Sequence, residues 1–297
     1  MKLFYSDAYA LSGYSFDTTR KGRWVADSLA AEPIERVLLV APPPLSQPLL
    51  LAVHGADYIA AVRTGEPREL AESQGFAWDA GIWPMVLASN GGTVAAALAA
   101  LETGGVVGSL SSGLHHARRD HGAGFCTFNG LALAAHAALA AGAQSILILD
   151  LDAHCGGGTH SFVGADPRVR HVDVAVSSFD SYGAAGKNTL DIVRRADGYL
   201  PTVTARLEAL AGERFDLCLY NAGMDPFERC DTGGLPGITE TLLAAREELV
   251  FKWFRRAGVP VAFVLAGGYI GHRLDQNGLV RLHRLTLAAA AHGESRL

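Results

Sequence analysis

The segment Asp150-Leu151-Asp152-Ala153-His154 places two carboxylates and an imidazole at alternate positions behind the apolar run SILIL. If the chain stays extended there, successive side chains alternate, and Asp150, Asp152 and His154 project to one side. Carboxylates and an imidazole suit Zn²⁺, and a catalytic zinc site uses three protein donors with a fourth position left for water. The best third donor is Asp225, in a Gly-Met-Asp-Pro turn beyond another apolar run. Two carboxylates would also offset the charge of the ion. For the segment alone, the plain alternative is two acids capping the next helix and one buried structural histidine. Acids directly behind four apolar residues are costly to bury without a cation nearby, which favours a metal.

Other polar clusters accompany this one. His115 and His116 are adjacent imidazoles in SSGLHHARRDHGAGFCTFN (111–129), and beside a metal site such a pair can supply a general base and an electrostatic partner. Alone, a histidine pair is usually surface or structure. Gly267-Gly268-Tyr269 follows the run VAFVLA and can present a phenol to a developing oxyanion, although singly it would be a plain turn.

The elements that must position these residues show in the apolar periodicity. It predicts strands over 2–5, 36–40, 105–110, 145–151, 170–176, 215–221 and 260–266. Helices are predicted over 50–63, 84–101, 127–141, 200–211, 238–257 and 278–292. Strand alternating with helix implies one α/β unit spanning 1–297, an open and mostly parallel sheet with helices on both faces. VVGSL leads to 111–129, SILIL to 150–160, DLCLY to 221–231 and VAFVLA to 267–269, so every cluster follows the C-terminal end of a strand. In open parallel sheets that edge is where ligand sites form, and four clusters would converge on it. APPPLSQP (41–48), with four prolines, reads as an extended connector and not as a domain boundary.

Composition narrows the class. The 297 residues are 49% hydrophobic and 19% charged with 34 glycines, the profile of an ordered α/β enzyme. A net charge of −5 without a Lys/Arg run gives no basic stripe, so direct nucleic-acid binding is not expected. Cys126, Cys155, Cys218 and Cys230 show no CxxC spacing, and the N-terminus MKLFYSDAYALSGYSF reads as a short strand and loop without the apolar core of a signal peptide. A reduced, cytoplasmic protein is expected. The stretch 131–149 reads as a helix broken by Gly142 and then a strand, so no membrane span is expected. Nothing in the sequence fixes the oligomeric state.

Together these residues resemble the histone deacetylase and acetylpolyamine amidohydrolase family, which has the arginase/deacetylase fold. The resemblance runs from VHGADYIAAVRTG (53–65) through SGLHHARRDHGAGFCTFN, ILDLDAHCGGGTHSF and YNAGMDP to LAGGY, most of the chain in the family's order. It implies one Zn²⁺ per chain on Asp152, His154 and Asp225, and a histidine pair at His115 and His116. Asp150 resembles the carboxylate that orients the first histidine and helps to bind a structural K⁺. Gly124 and Phe125 look like the backbone carbonyl contact and one aromatic wall of the acyl-lysine channel, and Tyr269 looks like the catalytic tyrosine. The implied reaction is zinc-dependent hydrolysis of an acyl amide on a small acylated amine or an acyl-lysine peptide, with His116 as base and Tyr269 as oxyanion donor. Asp79, in WDAGIWP, is expected at the rim, where it would attract a cationic substrate; a surface turn acid is its alternative.

Two departures from the family pattern stand out. The family usually reads DxDxHHGDG or DxDxHHGNG, whereas this chain has Gly157 where the group orienting His116 would be. Either a backbone carbonyl, a water or a side chain from elsewhere substitutes, or His116 is a weaker, differently poised base. The segment 177–201 also lacks the family's Gly-rich loop that carries the second aromatic wall, leaving Phe179 or Tyr182 for that place or a more open pocket. Two rival readings follow. An arginase-like dimanganese site would need acids where Gly156 and Gly223 stand. A regulatory homologue that keeps the metal without turnover would have no need for His115, His116 and Tyr269.

Overall fold

The computed structural model describes residues 1–13 and 16–292. Tyr14 and Ser15 of the expected N-terminal loop, and 293–297 at the end of the expected single unit, lie outside the described residues.

In chain order the elements are β1 (Lys2–Phe4), α1 (Asp17–Ala31), β2 (Leu38–Val40), α2 (Gln47–Val53), α3 (Ala56–Thr64), α4 (Arg68–Ala71), α5 (Ile82–Thr103) and β3 (Val106–Ser109). There follow α6 (Gly130–Ala140), β4 (Ile146–Asp150), α7 (Gly157–Val163), β5 (Val169–Ala175), β6 (Thr189–Ile192), α8 (Ala196–Ala209) and β7 (Leu217–Ala222). The chain closes with α9 (Glu240–Ala257), β8 (Val261–Leu265) and α10 (Gln276–Ala291). The strands form one eight-stranded sheet in the order β2-β1-β3-β8-β7-β4-β5-β6, with every pair parallel.

Alternation along the central strands builds two cores. Leu147 and Leu149 of β4, Cys218 and Tyr220 of β7 and Phe263 of β8 pack against α8, α9 and α10. Ile146 and Ile148, Leu217 and Leu219, and Ala262 and Val264 face α5 and α6. Both faces are covered, which is why these strands read as unbroken apolar runs. All five residues of β4 are buried.

The seven expected strands are present, each within two residues of its expected bounds. The helix expected over 50–63 is two helices, because the chain turns at His54 and Gly55. There His54 Nδ1 lies 2.9 Å from the Arg118 carbonyl, and its Nε2 accepts from Asn129 N–H at 3.0 Å. Helix α5 is long and apolar enough to cross a membrane by length and composition, and 67% of its most apolar window is buried inside the fold.

Candidate active site

The four clusters meet at the C-terminal edge of β3, β4, β7 and β8. Strand pairing ends at Asp150, and residues 152–154 form a bend, so the extended geometry expected through His154 does not hold. The bend is stabilised locally. Asp152 Oδ1 accepts from His154 N–H at 3.0 Å and lies 3.1 Å from His154 Nδ1. Asp225 closes the group, with Oδ2 also 3.1 Å from His154 Nδ1 and Oδ1 accepting from Ala153 N–H at 3.0 Å. Asp152 Oδ2 accepts from Gly267 N–H at 2.6 Å. A Cβ at Gly267 would fall 2.1 Å from Asp225 Oδ2, so glycine is required there by close approach.

Donor atoms of Asp152, His154 and Asp225 all lie within 4.8 Å of one another, and the 3.1 Å approach of His154 Nδ1 to Asp225 Oδ2 lacks hydrogen-bond geometry, leaving that buried oxygen unsatisfied. Burial, then the adjacent Asp152 carboxylate, raises the pKa of Asp225. A buried orphan oxygen, two crowded carboxylates and an imidazole that faces both fit a zinc-class cation. Asp150 is absent from this group, as its role in the histidine pair requires. Its Oδ2 lies 2.7 Å from His115 Nδ1, while Oδ1 accepts from Asn221 Nδ2 at 2.8 Å.

The two imidazoles are in different electrostatic states. Burial opposes a charge on His115, but Asp150 and Asp152 prevail and raise its pKa to about 10; a cation on Asp152 would offset part of that pull. For His116, burial and then the His115 charge lower the pKa to about 4, against the opposing pull of Asp180. At neutral pH His116 is therefore an unprotonated imidazole.

Asp180 is the group that substitutes at Gly157. Its Oδ2 lies 2.9 Å from His116 Nδ1 and accepts from Gly158 N–H at 3.0 Å, and its Oδ1 pairs with Arg118. Arg118 also donates to the Gly157 carbonyl at 2.8 Å. A Cβ at Gly157 would fall 2.3 Å from the Asp180 carbonyl oxygen and 2.5 Å from Oδ1. The glycine that removes the family's carboxylate thus makes room for one arriving from the β5–β6 loop.

The same loop supplies the second wall. Phe179 stands edge-on to His116 at 5.0 Å and to His154 at 5.9 Å, whereas Tyr182 turns inward and stacks on His160 at 4.1 Å. Phe125 forms the opposing wall and stacks on Phe16 at 4.2 Å; Phe16 in turn lies 5.3 Å from the Tyr269 ring. Gly124 and Phe125 both have positive φ, and Phe125 N–H is tied to the Gln74 carbonyl at 2.8 Å. The cavity between the two walls, open on one side and about 220 Å³, is lined by His116, Gly124, Phe125, His154, Ser177, Phe179, Thr232 and Tyr269. Asp79 is not in its lining. That carboxylate accepts from Ser12 Oγ at 2.9 Å and from Gly13 and Gly81 N–H at 2.8 and 2.7 Å.

A histone deacetylase domain model matches residues 16–279. The chain belongs to the histone deacetylase family. It is 37% identical over 247 residues to an uncharacterized protein of Picosynechococcus, covering 80% of each chain. Histone deacetylase 2 of Arabidopsis thaliana is 27% identical over 292 residues, covering 91% of this chain and 75% of the relative. The crystal structure of an acetylpolyamine aminohydrolase from Burkholderia pseudomallei superposes with a TM-score of 0.79 at 20% identity, over 97% of this chain and 98% of that one, which shows a common fold. Membership makes this chain a hydrolase of the deacetylase class.

Several residues of this deacetylase-family site have no role in the sequence reading. Lys21 of α1 is wholly buried, donates from Nζ to the Ala266 carbonyl and lies 5.9 Å from the Tyr269 ring centroid. Burial lowers its pKa to about 8, against the opposing pull of Asp225 and Asp152. Asn129 joins α6 to the histidine loop, with Nδ2 donating to the His115 and Ala117 carbonyls at 3.2 and 3.1 Å. Behind β4, buried Arg246 pairs with Glu247 at 2.6 Å and donates to the Leu151 carbonyl at 3.3 Å. Asn129 and Asn221 do sit inside recognisable motifs, SGLHHARRDHGAGFCTFN and YNAGMDP.

Proposed function

We propose that the protein is a zinc-dependent acyl-amide hydrolase that deacylates a small acylated amine or an acyl-lysine side chain. The observation that carries this reading is the His116 imidazole, fixed by Asp180 and facing the same cavity as His154 and Tyr269. Asp152, His154 and Asp225 would hold the ion. When bound, zinc supplies a Lewis acid for the carbonyl and lowers the pKa of its water to about 7.

The remaining steps belong to the chain's own side chains. His116 is unprotonated at neutral pH and in reach of the cavity, so it takes the proton of the attacking water and later returns it to the leaving amine. Asp180 fixes the imidazole so that its other nitrogen turns to the substrate. The Tyr269 phenol donates to the oxygen that becomes negative as the carbonyl turns tetrahedral. Asp150 orients His115, whose charge stabilises the same developing anion.

Phe125 and Phe179 are the walls of the channel, and its volume of about 220 Å³ suits a short acyl group on a slender chain. The resident Asp180 removes the observation that prompted a non-catalytic reading. Four free, buried cysteines support a reducing, cytoplasmic setting as part of the same proposal. The test is a panel of acetylated polyamines, acetyl-lysine peptides and longer acyl-lysines offered to zinc-loaded protein. Hydrolysis of at least one short-acyl substrate is expected; folded, zinc-loaded protein that releases acid from none of them would overturn the proposal.

A further inference from the structure

The family resemblance implies a monovalent cation beside Asp150, but the side chains that share its face of the sheet include an imidazole, a donor that suits a different ion. In the β4–β5 pairing, Ile148 lies opposite His171 and Asp150 opposite Asp173, so Asp150, His171 and Asp173 leave one face of the sheet together. All are fully buried, with ligand atoms within 4.8 Å of one another. The Tyr182 hydroxyl lies 3.2 Å from His171 Nδ1 and 3.3 Å from Asp173 Oδ2, and Gly156 N–H donates to that Oδ2 at 2.7 Å. His171 Nε2 and Asp173 Oδ1 are left without partners. A Cβ at residue 156 would fall 2.8 Å from Asp150 Oδ2 and 3.3 Å from His171 Nε2, so Gly156 keeps the gap between these donors open.

An imidazole nitrogen among the donors argues for a first-row divalent metal, because alkali cations are held by oxygen alone. We propose that Asp150, His171 and Asp173 bind a second divalent ion of the zinc class, distinct from the set Asp152, His154 and Asp225. It lies behind His115 and acts on the active site through Asp150, whose Oδ2 orients that imidazole. The donor sets differ, so this inference stands apart from the hydrolase reading, and absence of turnover would leave the metal count unchanged.

The test is metal content by mass spectrometry on protein purified without chelator, equilibrated with zinc in potassium buffer and dialysed. It compares the wild-type chain with the double variant Asp152→Asn/Asp225→Asn, whose fold is checked by circular dichroism. The expected result is two ions in the wild type and one in the double variant, with the variant's thermal midpoint rising on addition of zinc but not of potassium chloride. Adding His171→Phe to the double variant should then lose the remaining ion. One ion in the wild type with none in the double variant, or a midpoint that responds to potassium alone, would overturn the proposal. If the triple variant does not fold, the count on the double variant decides.

Discussion

Asp180 and Gly157 act as a pair: one residue supplies the carboxylate, and the other leaves the space it occupies. Because an added acceptor favours the imidazolium, Asp180→Asn is expected to lower the pKa of His116 and move the acid limb of the kcat/KM profile to lower pH. The same change should reduce turnover by roughly 10- to 100-fold, the cost of losing an orienting partner at a metal site. A fall in rate with an unmoved limb would deny Asp180 that role. Gly157→Asp, which restores the family's pattern on paper, should instead destabilise the fold, since its side chain meets Asp180 backbone; a thermal midpoint equal to the wild type would contradict this. For Tyr269→Phe, metal content should be kept while kcat falls by about 100-fold or more, as for other oxyanion donors. The candidate metal ligands and the histidine pair stand out in the sequence because they follow the ends of apolar strands. The His116–Asp180 contact spans 64 positions and exists only through the fold of the β5–β6 loop, so no spacing announces it.

At the scale of elements, what the sequence shows depends on how completely each element is buried. β4, β7 and β8 are buried along their whole length and stand out as apolar runs, whereas β6 is half-buried throughout and only four residues long. Helix α1 was missed for a related reason: DTTRKGRWVADSLAA is mostly polar, and its fully buried apolar positions are only Val25, Ala26 and Leu29. Yet α1 brings Lys21 to the Ala266 carbonyl, 5.9 Å from the Tyr269 ring centroid. Helix α7 opens with glycines, which argue against a helix on propensity alone, and is fixed by the turn that follows the metal-ligand bend. Support for that bend also comes from α9, where Arg246 reaches the Leu151 carbonyl. Arg246→Ala strands Glu247 as an unpaired buried charge and should cost about 3–5 kcal/mol in denaturant unfolding. A loss below about 1 kcal/mol, the scale of an exposed pair, would show that the Arg246–Glu247 pair does not brace the strand.

Across the whole molecule, one parallel sheet brings residues 115, 154, 225 and 269 to a single edge, and metal binding there should couple to global stability. An ion held at about 100 times its dissociation constant adds about 2.7 kcal/mol, so a chelator should lower the thermal midpoint. The pH dependence follows from Asp225. Burial and then Asp152 raise its pKa, so protons compete for this ligand at milder acidity than an ordinary carboxylate would allow. Metal-derived stability should be complete above that raised pKa and lost as pH falls through it, which melting curves with and without chelator across pH would show. The parallel sheet and both layers of helices were implied by the alternation of strand and helix; the strand order and the shape of the pocket were not, because they depend on how distant segments come together, Phe125 and Phe179 among them.

The central claim is tested most directly by stripping the protein of metal, restoring zinc, and following acyl release from the best substrate of the panel in the wild type and in Asp225→Asn. Turnover should vanish on stripping, return with zinc in the wild type, and stay absent in Asp225→Asn. Hydrolysis that persists without metal, or that zinc restores equally in Asp225→Asn, would contradict the assignment of Asp152, His154 and Asp225 as the catalytic metal site.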